Sequence, residues 1–446
     1  PGGTWWRNTY PGAAVDVQSH LYSFKDEPFN WSRLFAMQPE ILDYTNFLLD
    51  KYDVRSKVQC NKNVVDVKYI EDRALWSVTC DDKKIYSAPI VINASGSLSQ
   101  PLIPAIPGLE EFKGKTFHTS RWDHKYDYTN KKVGIIGTGA SAVQVVSAIA
   151  PKVNKLFVFQ RTPHWVLPRP DRSLKMWERA FIHSSSFTRL MFREWMYWKL
   201  EARMLAFKGN RALIKIFQAR ALKYLKKQVP DKELRKKLTP DFMLGCKRVL
   251  LTNDYYPALQ RDNVFLETDG IVEINENGIL TKKGEQINLD LIVFATGFNA
   301  SENNIPYPVC GRNGMTLEKS WRQGAHAYVG TTVPFFPNYF ILVGPNTGIG
   351  HTSALHIMES QMNYIMQALN SMRKNHWKSI EIKEEVEKDY NKKIHEKLSK
   401  TVWQIGGCKS WYQTRDGKNT TLYPSFSFVF RKDSAKFNSD DHLIVK

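Results

Sequence analysis

The chain has 446 residues, of which 42% are apolar, and its 63 Lys/Arg against 44 Asp/Glu give a formal charge of +19. That size supports two cores or three, and no apolar run reaches the ~18 residues of a membrane-spanning helix. Five widely spaced cysteines, Cys60, Cys80, Cys246, Cys310 and Cys408, point to reduced thiols in a cytoplasmic protein, and away from a disulfide framework or a zinc site. The positive charge is uneven: residues 171–240 hold 18 Lys/Arg against 6 Asp/Glu. Such a patch suits nucleic acid, an anionic membrane or an anionic cofactor. No recognition motif for nucleic acid accompanies it, so that partner is set aside.

In chain order, the segment Gly2-Gly3-Thr4-Trp5 to Asp16 (GGTWWRNTYPGAAVD) comes first. Residues 39–52 follow as a helix, with Pro39 suited to the first turn. Short strand-like runs come next at Asn63–Val67, Trp76–Thr79, Lys84–Ser87 and Ile90–Asn93. Residues 101–112 (PLIPAIPGLEEF) read as a linker. A second α/β unit has its first strand at Lys132–Ile136, a helix from about Ala140 and a strand at Lys155–Phe159. About 70 residues with helical spacing of apolar positions follow Pro170. Strands resume at Val264–Leu266, and Asn277-Gly278 marks a hairpin between Ile271–Ile274 and Ile279–Thr281. A buried strand at Leu289–Ala295 ends in Thr296-Gly297. A last strand, Tyr339–Val343, enters a glycine-rich loop and a helix from about Thr352.

The second unit carries a motif that stands alone. The strand KKVGII runs into Gly137-Thr138-Gly139-Ala140-Ser141-Ala142, a G-x-G-x-x-A, with Gln144 one turn further. Glycines permit the tight turn and a close backbone approach to a pyrophosphate, and the helix N-terminus supplies free N–H groups. The strand before it and the helix after it make this a dinucleotide site. At the end of the second strand an NAD site would place a carboxylate on the ribose. This chain reads Phe159-Gln160-Arg161-Thr162. A carboxylate would repel a 2′-phosphate, whereas Arg161 can pair with it, so NADP(H) is expected.

The opening segment fills every fixed position of (A/G)-G-x-W-x4-(F/Y)-P-(G/M)-x3-D, and residues 112–123 fill F-x-G-x3-H-x3-W-(P/D) with Phe112, Gly114, His118, Trp122 and Asp123. Both resemble fingerprints of the type I Baeyer–Villiger monooxygenases, and the resemblance runs over the whole chain. It implies an α/β protein with two dinucleotide-binding, Rossmann-like domains and an inserted helical subdomain. The implied division is 1–112 and 295–446 for FAD, 131–170 and 241–294 for NADP, 113–130 as a linker bearing the second fingerprint, and 171–240 as the helical subdomain. Family members carry a strand–glycine loop–helix–strand unit ahead of the opening fingerprint, so a preceding segment of about 30 residues or more is expected. Gly3, Thr4, Trp5, Asp16 and Tyr22 are then flavin-side residues. Ala94-Ser95-Gly96 and Ala295-Thr296-Gly297 look like the elements that enter and leave the nucleotide domain. Gly344-Pro345-Asn346 resembles the loop before a helix whose N-terminus faces the flavin. The C-terminal stretch Gly407-Cys408-Lys409-Ser410-Trp411-Tyr412 resembles the one that places Trp411 near nicotinamide and substrate. His118, beside a linker, is expected to be a hinge or hydrogen-bonding residue and not a base.

The catalytic carry-over is small. Gly245-Cys246-Lys247-Arg248 matches a family stretch in which Lys247 reaches the 2′-phosphate and Arg248 lies beside the flavin C4a. Asp16 matches the carboxylate that orients this arginine. The implied chemistry is NADPH- and O2-dependent oxygen insertion next to a ketone carbonyl through a flavin C4a-peroxide, with apolar ketones as substrates. A fixed guanidinium would hold the peroxide anion and the oxyanion that follows. Two alternatives stand beside it: oxygenation of nitrogen or sulfur or hydroxylation on the same cofactor, and an inactive NADP-binding remnant. Residues 211–228 form a basic amphipathic helix. Leu213, Ile214, Phe217, Ala221, Tyr224 and Leu225 share one face; Arg211, Lys215, Arg220, Lys223, Lys226 and Lys227 share the other. The preferred reading is a helix packed on the NADP domain with a solvated basic face, ahead of peripheral membrane contact.

Overall fold

The computed structural model describes residues 1–299 and 305–446. Its central feature is a five-stranded parallel sheet in the order Val264–Glu267, Lys155–Phe159, Lys132–Ile136, Leu291–Phe294, Lys115–His118. The three inner strands are nearly continuous runs of Val, Ile, Leu and Phe, as a sheet covered on both faces requires. The helix Ala140–Ile149 buries Ala142, Val143, Val145, Val146 and Ile149 against it. The expected strand bounds Lys132–Ile136 and Lys155–Phe159 coincide with those observed. The other covering layer uses the antiparallel strands Ile271–Asn275, Gly278–Thr281 and Gln286–Asn288, joined at the expected Asn277-Gly278 turn.

A second body is built from both ends of the chain. Strand Val91–Asn93 pairs in parallel with Tyr339–Ile341, which lies some 250 residues later in sequence. A four-stranded sheet adds Val64–Ile70, Leu75–Cys80 and Ile85–Ala88, with Val309–Cys310 at its edge. The helix Ala354–Asn375 lies in the core with Val329, Phe340 and Ile380. The helix expected at 39–52 is seen at Gln38–Lys51, with proline in its first turn.

The stretch after Pro170 is helical as expected, in Met176–His183, Ser186–Glu201, Met204–Phe207, Arg211–Gln228 and Lys232–Leu238. Two features depart from the sequence reading. Residues 113–130, read as linker, contain the strand Lys115–His118, which forms the edge of the nucleotide sheet. At four residues it is too short to stand out beside the prolines before it. The cysteine reading is overturned: Cys246 and Cys408 form a disulfide across a sequence separation of 162, leaving Cys60, Cys80 and Cys310 free. Wide spacing argued for free thiols, but spacing along the chain says nothing of two loops that tertiary packing brings together. The one hint lay in the repeated tripeptide Gly-Cys-Lys, at 245–247 and at 407–409.

Candidate active site

The glycine loop has the form that a phosphate cradle needs. Gly137 has φ +118, and a Cβ there would stand 2.5 Å from the Ala295 carbonyl, so this glycine packs the turn against the neighbouring strand end. A Cβ on Gly139 would meet nothing within 4 Å. The open side of the loop therefore lies over the helix N-terminus. That helix has no side-chain cap and no acid in its first turn, which leaves its N–H groups and dipole free for an anion. Thr138 donates its hydroxyl to the Thr162 carbonyl at 3.0 Å, tying the loop to the end of the next strand.

Arg161 is exposed at that strand end. Lys247 comes from a distant segment but is close enough for Arg161 to matter: burial first, and then the Arg161 charge, lower its ammonium from the ordinary range. Its Nζ lies 5.1 Å from the Phe242 ring centre. Two cations that disfavour each other, beside an open phosphate cradle, form a socket for a dianion.

The second constellation joins the two bodies. Ala14 and Val15 bridge to Met37 and Ala36 ahead of the helix Gln38–Lys51, which fixes Asp16. Arg248 leads into strand Leu250–Leu251, which pairs in parallel with Val166–Leu167. Between them a bidentate fork forms: Arg248 Nε donates to Asp16 Oδ2 at 2.6 Å and Nη2 donates to Oδ1 at 2.8 Å. Burial alone would raise the Asp16 carboxyl. The Arg248 guanidinium outweighs it and holds the carboxyl below its usual range, with Arg169 adding to the effect. The Asp16 charge in turn raises Arg248 against its own burial. Each side chain keeps a third of its surface accessible, 33% and 32%, though both sit deep among protein atoms. Both side chains are therefore within reach of a bound molecule.

Tyr22 adjoins this fork. Its phenol is raised by burial, accepts a hydrogen bond from Trp5 Nε1 at 3.2 Å and senses both Asp16 and Arg248. The two rings meet edge to face at 5.8 Å. Gly3, Gly96 and Gly297 all take positive φ (+54, +72, +83) with nothing within 4 Å of a would-be Cβ. Among the described residues, Thr352 Oγ1 and Asn346 Oδ1 are buried without a hydrogen-bond partner. Open glycine backbone and orphaned polar atoms on these segments fit a second large nucleotide.

Four expected residues take more specific places. Gln144 accepts from the Tyr10 hydroxyl at 3.0 Å and donates to the Ala14 carbonyl at 3.0 Å, joining the nucleotide helix to the opening fingerprint. Gly344 faces the Gly330 carbonyl, where a Cβ would stand 2.3 Å away, so its bareness serves backbone packing. Trp411 is 42% exposed and packs on Tyr412 at 4.5 Å. His118 is buried at the end of the edge strand, with Nδ1 taking the Ser120 N–H at 3.1 Å and the Gly297 backbone nearby. Its ring meets that of Phe298 edge to face at 5.5 Å, which packs the connector against the segment after Gly297.

The sequence reading missed Tyr412 and His164. Tyr412 is fully buried, its phenol is pushed up to about 12 by burial, and it senses Arg248 and Asp16. The disulfide places it there, because Cys246 and Cys408 precede Arg248 and Tyr412 by two and four residues. His164 is lowered to about 4 by burial and then by Lys247, so it stays neutral near pH 7. No spacing pattern announces either residue.

A family model described as flavin-binding monooxygenase-like matches residues 9–309. The chain is 42% identical to a Baeyer–Villiger monooxygenase of Pseudomonas aeruginosa, over all of this chain and 85% of that protein. It is 36% identical to one of Streptomyces coelicolor, again over the whole chain and 86% of the relative. Among solved structures, cyclohexanone monooxygenase from Rhodococcus sp. Phi1 bound to NADP+ superposes with a TM-score of 0.90 at 28% identity, covering 100% of this chain and 92% of that one. OTEMO in complex with FAD and NADP gives 0.88 at 27%, covering 100% and 93%.

Proposed function

Because the chain belongs to the flavin-binding monooxygenase-like family, we propose that it is a Baeyer–Villiger monooxygenase that uses FAD, NADPH and O2 to insert one oxygen atom beside the carbonyl of a ketone. The observation that carries the reading is the Asp16–Arg248 fork, held between two bodies that each present glycine turns with open space beside them. Bound flavin, once reduced, supplies the activated oxygen. Everything else is the work of side chains.

Arg161 and Lys247 would grip the 2′-phosphate of NADPH, while the N–H groups after Gly139 meet its pyrophosphate. The opening fingerprint from Gly3 to Tyr22, with Gly96 and Gly297, would hold the flavin nucleotide. Arg248 would face the anionic oxygen nucleophile and then the oxyanion that forms on the ketone carbon. Asp16 holds both arms of its guanidinium in one plane. It also keeps Arg248 protonated without cancelling its outward field, since Nη1 is free of the fork. Tyr412, protonated at working pH, lies near enough to the pair to feel both charges. An apolar ketone suits the aromatic surroundings of the site better than an amine, which would carry charge into a cluster of cations.

The test separates two half-reactions. Hydride transfer from NADPH needs no anionic oxygen species, whereas attack on the ketone does. Arg248→Ala in the native protein should still bleach flavin under anaerobic NADPH and lose about 10²–10³ in ester formation. Ester formation at the wild-type rate would show that Arg248 does not stabilise the oxyanion.

A further inference from the structure

The helix Ser186–Glu201 is apolar on two sides. Its inner side buries Met196, Tyr197 and Leu200 with Val17 and Leu21. Its outer side carries Phe187, Met191, Trp195 and Trp198, spaced on one face and 70%, 54%, 60% and 55% exposed. Four large apolar side chains in a row facing water are a costly arrangement unless something covers them.

The patch continues past the helix. Trp198 packs on Phe428 at 5.8 Å, and Phe428 stacks on Phe426 at 5.1 Å. Its neighbours are cationic. Lys199 Nζ lies 5.0 Å from the Trp195 ring and Lys208 Nζ lies 4.4 Å from that of Phe426. Arg431 and Lys432 are exposed on the helix Ser427–Asp433, which bears Phe428. The acids of these two helices are Glu194, Asp433 and Glu201, and Glu201 is buried, paired with His351 and holding Ser427. In the same subdomain the helix Arg211–Gln228 exposes Arg211, Lys215, Arg220, Lys223, Lys226 and Lys227 and contains no acid.

We propose that the outer face of Ser186–Glu201, with Phe428, docks on an anionic phospholipid surface. Its aromatic rings would sit at headgroup depth and its lysines on lipid phosphates. Trp and Phe ringed by Lys and Arg match the polarity profile of that boundary, where long cationic side chains reach back to the phosphates. A second copy of the chain fits worse. A two-fold contact here would set residues 171–240, with 18 Lys/Arg against 6 Asp/Glu, against the same excess. The contact lies in the same helical stretch, 171–240, as the helix whose basic pattern stood out in the sequence.

The test is vesicle co-sedimentation of the full native protein. It compares phosphatidylcholine vesicles with and without phosphatidylserine at low salt and in 1 M salt, where screening acts within about 3 Å. The expected result is binding to the acidic vesicles, with a blue shift of tryptophan emission. Binding should fall severalfold in high salt or on neutral lipid. Trp195→Ser/Trp198→Ser should lower the partition coefficient about tenfold or more, with unchanged circular dichroism and NADPH oxidation. Lys199→Glu/Lys208→Glu should weaken binding to acidic vesicles alone. Absence of binding at low salt, or equal binding by the tryptophan variant, would overturn the proposal. So would a dimer of the wild type that the same two serines dissociate, since the face would then belong to a second copy.

Discussion

At the residue scale, Asp16 and Arg248 lie 232 positions apart and yet form a planar two-bond pair at 2.6 and 2.8 Å. A pair this deep is costly to desolvate, and as a mere fastener it would gain little over apolar packing. Its accessible third is what suits it to a site. Arg161 and Lys247 differ: among the described residues neither forms an ion pair, and burial with the Arg161 charge outweighs Asp241 and pushes the Lys247 ammonium down. An incoming phosphate dianion relieves that repulsion. The wild type should therefore prefer NADPH to NADH by about tenfold or more, roughly the worth of one charged pair. Arg161→Ala should remove most of that preference while leaving kcat with saturating NADPH nearly unchanged. Steady-state kinetics with both nucleotides measures it, and equal efficiency in the wild type would refute it.

At the scale of elements, the two glycines of the cradle do different work, and the difference is measurable. Gly137→Ala would force a Cβ to 2.5 Å from the Ala295 carbonyl at a φ of +118. It should cost at least about 1–2 kcal/mol of stability and lower the melting temperature. Gly139→Ala puts its methyl into open space at φ −76. It should melt like the wild type but bind NADPH more weakly, seen as a raised KM, because the methyl occupies the pyrophosphate's place. Equal melting temperatures for the two variants would contradict this division. The disulfide is the second such case. It holds the loop carrying Lys247 and Arg248 against the one carrying Trp411 and Tyr412. Closing 162 residues is worth about 5 kcal/mol by chain entropy. Cys408→Ser should lower the melting temperature and slow ester formation more than anaerobic flavin reduction, because it loosens Tyr412 beside Arg248. Thermal melts and stopped-flow traces of this variant check both effects.

At the scale of the molecule, the legible parts were those with local signals. The strand–glycine loop–helix at 132–149 announces itself through a run of Val and Ile, three small residues and a 3.6-residue period, and its bounds come out nearly to the residue. The two fingerprints supplied Asp16, Trp5 and His118, and the structure sets Trp5 on Tyr22 and Tyr22 beside the fork. The edge strand Lys115–His118 was hidden because its four residues follow a proline-rich run. The Cys246–Cys408 bond and the approach of Tyr412 to Arg248 are contacts between loops far apart in sequence, and neither leaves a period or a spacing to read. The outward aromatic row of Ser186–Glu201 was legible only as part of a stretch with helical spacing of apolar positions, and which side faced water had to come from the fold. What joins these pieces is the claim that two nucleotide cradles meet at one arginine to oxidise a ketone with molecular oxygen. The most direct test supplies the native protein with NADPH, a simple cyclic ketone and 18O-labelled O2, and follows the product by mass spectrometry. The predicted result is a lactone carrying one labelled oxygen, formed one-for-one with NADPH consumed. Efficient sulfoxidation with no lactone, or nucleotide binding with no oxygenated product of any kind, would contradict it.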